Sequence, residues 1–218
     1  MRKRLTKFAQ VAGIMLALAL IFSCSSDKDD DNSGGGSGDK GNDIKNYKTV
    51  KIGDQVWMAE NLNYRGTEPD TLGVCYGNYP ANCKKYGRLY SLATAMTVCP
   101  SGWHLPSQAE WNTLMTTVGG GSTAGTKLKS KSGWNDYQGK SGNGTNDYGF
   151  SALPGGRGSS SGAFNYMGER GYWWSSGSGI TGETYANAYY LYYDRESVQT
   201  QSESMSGGFP ASVRCVQD

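Results

Sequence analysis

Histidine is nearly absent from this chain: His104 stands alone among 218 residues, and none of the five cysteines forms a C-x-x-C pair. Tetrahedral zinc needs such paired thiolates or imidazoles, so a zinc site is not expected. Charge is also scarce, at 18 % of residues, and no basic stretch or nucleic-acid motif offers a field for a polyanion such as DNA or RNA. Long apolar runs are missing as well. The longest, Val11 to Phe22, is about a dozen residues, well below the about 20 a membrane-spanning helix needs. Glycine is plentiful, with 32 residues, yet the glycines follow helix ends and loops and do not open a helix after a strand, so no phosphate-cradling loop is read.

The short apolar run belongs to a leader. Arg2, Lys3, Arg4 and Lys7 precede it, and Ile21-Phe22-Ser23-Cys24 follows. This arrangement resembles a bacterial lipoprotein signal, which implies cleavage before Cys24 and acylation of that residue. Residues 24–43 are almost wholly Ser, Gly, Asp, Asn and Lys. Such a composition cannot bury a core and predicts a disordered tether. The cluster Asp27, Asp29, Asp30 and Asp31 resembles the signal that sends lipoproteins of the Bacteroides group to the outer face of the outer membrane, and serves equally as a soluble spacer. Loss of the four leader cations leaves 17 Lys and Arg against 19 Asp and Glu, a net of −2. Residues 44–218 are long enough for one domain with a real core.

Beyond Cys24 the cysteines are Cys75, Cys83, Cys99 and Cys215, an even number in a chain read as exported. Four cysteines allow three pairings. Cys75 and Cys83 flank a Tyr-Gly-Asn-Tyr-Pro turn segment, which suggests a local closure and leaves Cys99 with Cys215.

Lys48 to Ile52 and Gln55 to Glu60 read as a hairpin about Gly53-Asp54. Leu92, Ala95, Met96 and Cys99 fall at helical spacing and put Cys99 inside a helix facing the core. A second helix opens at the capping box Ser107-Gln108-Ala109-Glu110, carries Trp111, Leu114, Met115 and Val118 inward, and stops at Gly119-Gly120-Gly121. From Ser122 to Gly208, Gly, Ser, Asn and aromatics dominate. Strands are expected at Tyr172–Ser175, at Tyr185–Asp194, and over Ala211–Val216 with Val213 and Cys215 inward, opposite Ser212 and Arg214. In the second, Tyr189 and Leu191 share one face and Tyr190 and Tyr192 the other, so one face packs and the other is available for display. Helices first and antiparallel strands later indicate an α+β domain.

Six segments in order, Tyr86-Gly87-Arg88-Leu89-Tyr90, Cys99 to Ser107, Gly125 to Ser130, Asp147 to Gly156, Tyr172-Trp173-Trp174-Ser175 and Val213-Arg214-Cys215-Val216, closely resemble the Fibrobacter succinogenes major paralogous domain. The resemblance implies a C-type-lectin-like fold related to the sulfatase-modifying factor group, with two N-terminal helices packed on short antiparallel strands and long loops. It also implies a disulfide from a helix cysteine to the final strand, the places of Cys99 and Cys215. Relatives are mostly uncharacterised surface lipoproteins, so a fold follows more readily than an activity.

Three function classes follow. The first is a non-catalytic recognition module for an extracellular carbohydrate or protein, with Tyr166, Arg170, Tyr190, Tyr192, Arg195, Glu196 and Gln199 as the candidate ligand face. Tyrosine offers large contact area at low entropic cost. Proteins of the resembled fold are sometimes targets of diversity-generating retroelements, which places any such variation in Asn165 to Ser206. The second is a structural component of a cell-surface assembly. The third, an enzyme like the formylglycine-generating members of the fold group, lacks a spare thiol once two bridges and a lipidated cysteine are assigned. His104, the lone candidate base, sits in an inter-helix connection and reads as structural. No cofactor is expected. Calcium is the one ion the fold group suggests, and Asn143, Asn146 and Asp147 supply oxygens, but their spacing matches no EF-hand loop and turn formation explains them. Asp70-Thr71-Leu72 resembles a Bacteroides-type O-glycosylation motif.

Overall fold

The computed structural model describes residues 47–67, 71–177, 185–204 and 208–218. The leader, Cys24, the tether and Asp70 lie outside these residues. All described residues belong to one unit spanning Asp39–Asp218.

The predicted hairpin forms from β1 (Thr49–Ile52) and β2 (Gln55–Met58), in antiparallel register with Val50 opposite Trp57. Gly53 turns it at φ +61°, a backbone setting glycine adopts without a Cβ clash. The segment between Cys75 and Cys83 was expected as a turn alone. It is a 3-10 turn at Tyr76–Asn78 followed by helix α1 (Pro80–Tyr86), which carries Cys83. Pro80 occupies the first helical turn, where its missing N–H costs nothing.

After β3 (Leu89–Tyr90) comes α2 (Leu92–Ala95), capped by the Ser91 side chain. The expected helix does not reach Cys99: it ends after four residues, and Met96 is 44 % exposed. Thr97 and Val98 are β-branched, and Pro100 disfavours helical geometry at Cys99, so the spacing continued past the point where the backbone could follow. Cys99 nonetheless pairs with Cys215, and Cys75 with Cys83. Two-residue β4 (Trp103–His104) leads to α3 (Gln108–Thr117), which forms as predicted: both arms of the Ser107–Glu110 capping box are made, and Trp111, Leu114 and Val118 are buried. A further short helix, α4 (Ala124–Leu128), gave no sequence signal because Gly125 and Thr126 are poor helix formers; burial of Ala124, Gly125 and Leu128 holds it.

The remaining elements are β5 (Gly155–Gly158), β6 (Phe164–Met167), β7 (Arg170–Trp174), β8 (Tyr185–Tyr192), β9 (Val198–Ser204), β10 (Ala211–Ser212) and β11 (Val216–Gln217). The single last strand expected over 211–216 is thus two, in different sheets. One sheet runs β1-β2-β11-β4; the other runs β3-β10-β7-β5-β6, with β8 beside β7 and β9 beside β8. Not every pairing is antiparallel, since β7 runs parallel to both β5 and β10. The molecule is a mixed α+β domain, mostly sheet with few helices, closed by two disulfides.

The β7–β8 pair divides the core. Tyr172, Trp174, Ala186 and Ala188 join Leu92, Ala95, Phe209 and Cys215 on one side. Trp173, Tyr189 and Leu191 join Trp57, Trp111, Leu114 and Phe150 on the other. Both faces of β8 therefore pack, with Tyr190 and Tyr192 on one face and Asn187 on the other left part exposed. Ser212 and Arg214, expected opposite the buried residues, are buried themselves, because residues 213–215 cross between the sheets inside the core. Arg214 is fully enclosed. Its Nη2 and Nε donate to Asn61 Oδ1 at 2.8 and 3.2 Å, its Nη1 donates to the Phe150 carbonyl, and its plane lies over the Phe150 ring. Burial pushes its guanidinium down to about 9, so it remains charged at neutral pH.

Candidate functional site

Register assembles the site. Tyr172 lies opposite Tyr190, and Arg170 opposite Tyr192, across β7 and β8. Gln199 lies opposite Tyr190 across β8 and β9. Directly opposed residues share a face, so Arg170, Tyr172, Tyr190, Tyr192 and Gln199 project to the same side of the sheet. Gly156 pairs with Gly171 where β5 meets β7 in parallel, which brings the next β5 residue, Arg157, to that side too. A Cβ on Gly171 would strike the Trp173 ring and the Leu153 carbonyl, so only glycine permits this approach.

The side chains then form an alternating row of rings and cations. The Arg157 guanidinium lies 3.9 Å from the Phe209 ring centre, 5.3 Å from Tyr172 and 5.7 Å from Tyr166. Arg170 follows, 3.9 Å from Tyr166 and 4.3 Å from Tyr192, and Arg195 lies 4.5 Å from Tyr192. Tyr172 stacks on Tyr190 at 5.1 Å, and Tyr190 meets Tyr192 edge-on at 5.3 Å. Such cation–ring contacts are each worth about 0.5–2 kcal/mol, depending on how far water is excluded. Burial works against the charge on Arg170, but its 3.1 Å hydrogen bond to the Tyr172 hydroxyl and the surrounding tyrosines hold its pKa above the ordinary value. Burial raises the Tyr172 and Tyr190 hydroxyls, which therefore remain protonated donors.

Two features stiffen the row. Tyr166 has φ +69°, an uncommon setting for a bulky residue that persists only where its surroundings enforce it. Lys129, only 4 % exposed, donates its ammonium to the carbonyls of Tyr192, Tyr193 and Arg195 at 3.2, 3.4 and 3.3 Å. It thereby fixes the turn that carries Arg195. Burial lowers its pKa, partly offset by Asp194 and Glu196.

Five of the seven residues predicted for a ligand face, Tyr166, Arg170, Tyr190, Tyr192 and Arg195, thus come together. Gln199 stands beside them on β9, its amide donating to Ser197 Oγ at 2.8 Å. Glu196 is exposed in the turn after β8, where its carbonyl accepts from the Thr126 N–H at 3.3 Å. Sequence reading missed Arg157, Tyr172 and Phe209. Arg157 sits in Gly155-Gly156-Arg157-Gly158, too glycine-rich to read as a strand, and Phe209 follows two glycines. Tyr172 was read as a strand residue, and its pairing with Tyr190 could not be seen without the register.

The other candidates have local duties. His104 Nδ1 lies 2.6 Å from Asp218 Oδ1, and Nε2 lies 2.7 Å from Glu110 Oε1. Burial disfavours its charge, but these two carboxylate contacts outweigh it and raise its pKa. The imidazole therefore ties residue 218 to the capping box of α3. Asn143 Oδ1 accepts from the Trp134 N–H, and Asn146 Oδ1 from the Ser151 N–H, so two of the three side chains considered for calcium hold loops. Among the described residues no cluster of three or more His, Cys, Asp or Glu is arranged for a metal, and no helix is long and apolar enough to cross a membrane.

The model of the Fibrobacter succinogenes major domain matches residues 50–217. The chain belongs to this family. No curated protein and no solved structure matches it. Both disulfides and every residue of the ring–cation row lie within the matched Fibrobacter succinogenes major domain.

Proposed function

We propose that the protein is a cell-envelope lipoprotein, anchored through Cys24 to the outer membrane and carrying a non-catalytic recognition module for an extracellular carbohydrate or protein. The observation that carries this reading is the convergence of Arg157, Tyr166, Arg170, Tyr190, Tyr192, Arg195 and Gln199 on one rim of the larger sheet. These are planar, amphipathic side chains held by packing, the kind that makes specific contacts with little loss of freedom. The leader, the acidic tether and four cysteines in disulfides all fit an exported, surface-displayed domain. We further read the fold as C-type-lectin-like, on the strength of the long-range Cys99–Cys215 bridge and the irregular, loop-rich second half.

The test is binding of the full chain, purified with both disulfides formed, to a glycan array and to fractionated envelope extracts. A variant with Tyr190, Tyr192 and Arg195 all changed to Ala serves as comparison. Selective binding that disappears in the still-folded variant supports recognition. Absence of binding to both sets overturns it in favour of a structural part in a surface assembly.

A further inference from the structure

Among the described residues, three guanidinium groups of the row have no counter-charge. Arg157, Arg170 and Arg195 have no carboxylate within ion-pair distance among the described residues; their partners are rings and, for Arg170, the Tyr172 hydroxyl. The Nε atoms of Arg157 and Arg170 are buried without an acceptor, as are Arg88 Nε and Trp111 Nε1, so it is the terminal Nη groups of the row that a ligand would meet. A ring covers the face of a guanidinium and leaves the in-plane edge of its Nη groups for pairing, apart from the Arg170 Nη1 donated to the Tyr172 hydroxyl. Paired in-plane donors of this kind match the two oxygens of a carboxylate or sulfate.

The surroundings specify more than charge. β9 is the outermost strand beside β8, and it brings the Gln199 amide onto the face of Tyr190, whereas the Gln201 amide, opposite Ala188, donates to Glu203 Oε1. Amides and phenolic hydroxyls both donate and accept, as neighbouring hydroxyls of a sugar require. The positive row is moreover local, because the chain without its leader has a net charge of −2.

We propose that this rim binds an acidic saccharide, its carboxylate or sulfate groups paired with Arg157, Arg170 and Arg195 and its hydroxyls with Tyr190, Tyr192 and Gln199. The inference rests on the recognition reading and narrows it to one ligand class.

The full chain is titrated with four probes: polygalacturonate, dextran sulfate, neutral dextran and polyglutamate. The expected result is binding to one or both of the acidic polysaccharides, none to dextran, weaker binding to polyglutamate, and affinity that falls as salt rises. Arg195→Gln, at an exposed position where folding is safe, should weaken binding about tenfold, the loss typical of one charge-assisted contact. Arg157→Gln should weaken it further, with near-ultraviolet circular dichroism checking that the aromatic core is intact. Equal binding to dextran and polygalacturonate would overturn the acidic specificity while leaving recognition standing. Polyglutamate binding as tight as the polysaccharides would overturn the saccharide assignment in favour of an acidic peptide. Binding to none of the four, or binding unchanged in Arg195→Gln, also sinks the proposal. In that case the glycan array and extracts decide separately whether recognition survives.

Discussion

Asn61 Oδ1 accepts from three donors at once: Trp173 Nε1 at 2.8 Å, Arg214 Nη2 at 2.8 Å and Arg214 Nε at 3.2 Å. Its amide donates to the Tyr86 carbonyl at 2.8 Å. One side chain thus satisfies much of a fully buried cation, and its removal would leave that charge underpaired in the core. Asn61→Ala should lower stability by about 2–3 kcal/mol, the range for losing hydrogen bonds to a buried charged group, as read from the midpoint and slope of denaturant unfolding. A loss under about 1 kcal/mol would show that water or a shifted carbonyl replaces it. None of this was legible in the sequence. Alternation placed Arg214 outward, and its partner lies 153 residues away. By contrast, Ser107 and Glu110 announce their contact because both ends of a capping box lie within one turn. The ligand-face residues fall between these cases. Their types were readable, whereas the row they form depends on cross-strand pairing.

Among elements, the two bridges constrain loops of very different length. Cys99 and Cys215 are 116 residues apart, whereas Cys75 and Cys83 are 8 apart. In the chain-entropy account the long bridge contributes about 5 kcal/mol and the short one about 2.5 kcal/mol. Replacing Cys99 and Cys215 together by Ala should therefore lower the unfolding free energy about twice as much as replacing Cys75 and Cys83. Equal losses would mean that the short bridge matters mainly through the native packing of α1. Long amphipathic elements were readable: α3 and the β1–β2 hairpin appear where the pattern put them. The early end of α2, the five-residue α4 and the split of 211–216 were not. Elements that short have too few residues to establish a period, and tertiary contacts decide them.

For the molecule as a whole, His104 and Glu110 set a pH window for stability. The folded pKa of His104 is raised above 6.5, so its contribution is complete below 6.5 and is lost as pH rises through the folded value. Burial opposes ionisation of Glu110, but the hydrogen bonds from Ser107 and His104 hold its pKa below 4.5; its contribution is present above 4.5 and fades as pH falls through the folded value. Their joint contribution is greatest between about pH 4.5 and 6.5. Thermal unfolding followed from pH 5 to 9 should show Tm declining on the alkaline side, and His104→Gln should flatten that decline. An unchanged slope in the variant would assign it to other groups. The same stretch of chain has a consequence for biogenesis. β10 lies between β3 and β7, and β11 between β2 and β4, so residues 211–217 close both sheets and carry the partner of Cys99. Until that segment has been synthesised, β3 has nothing to join it to β7, β4 has nothing to join it to β2, and Cys99 has no partner, so a copy cut short before Ala211 keeps the β1–β2 hairpin and the β5–β9 strands as separate pieces.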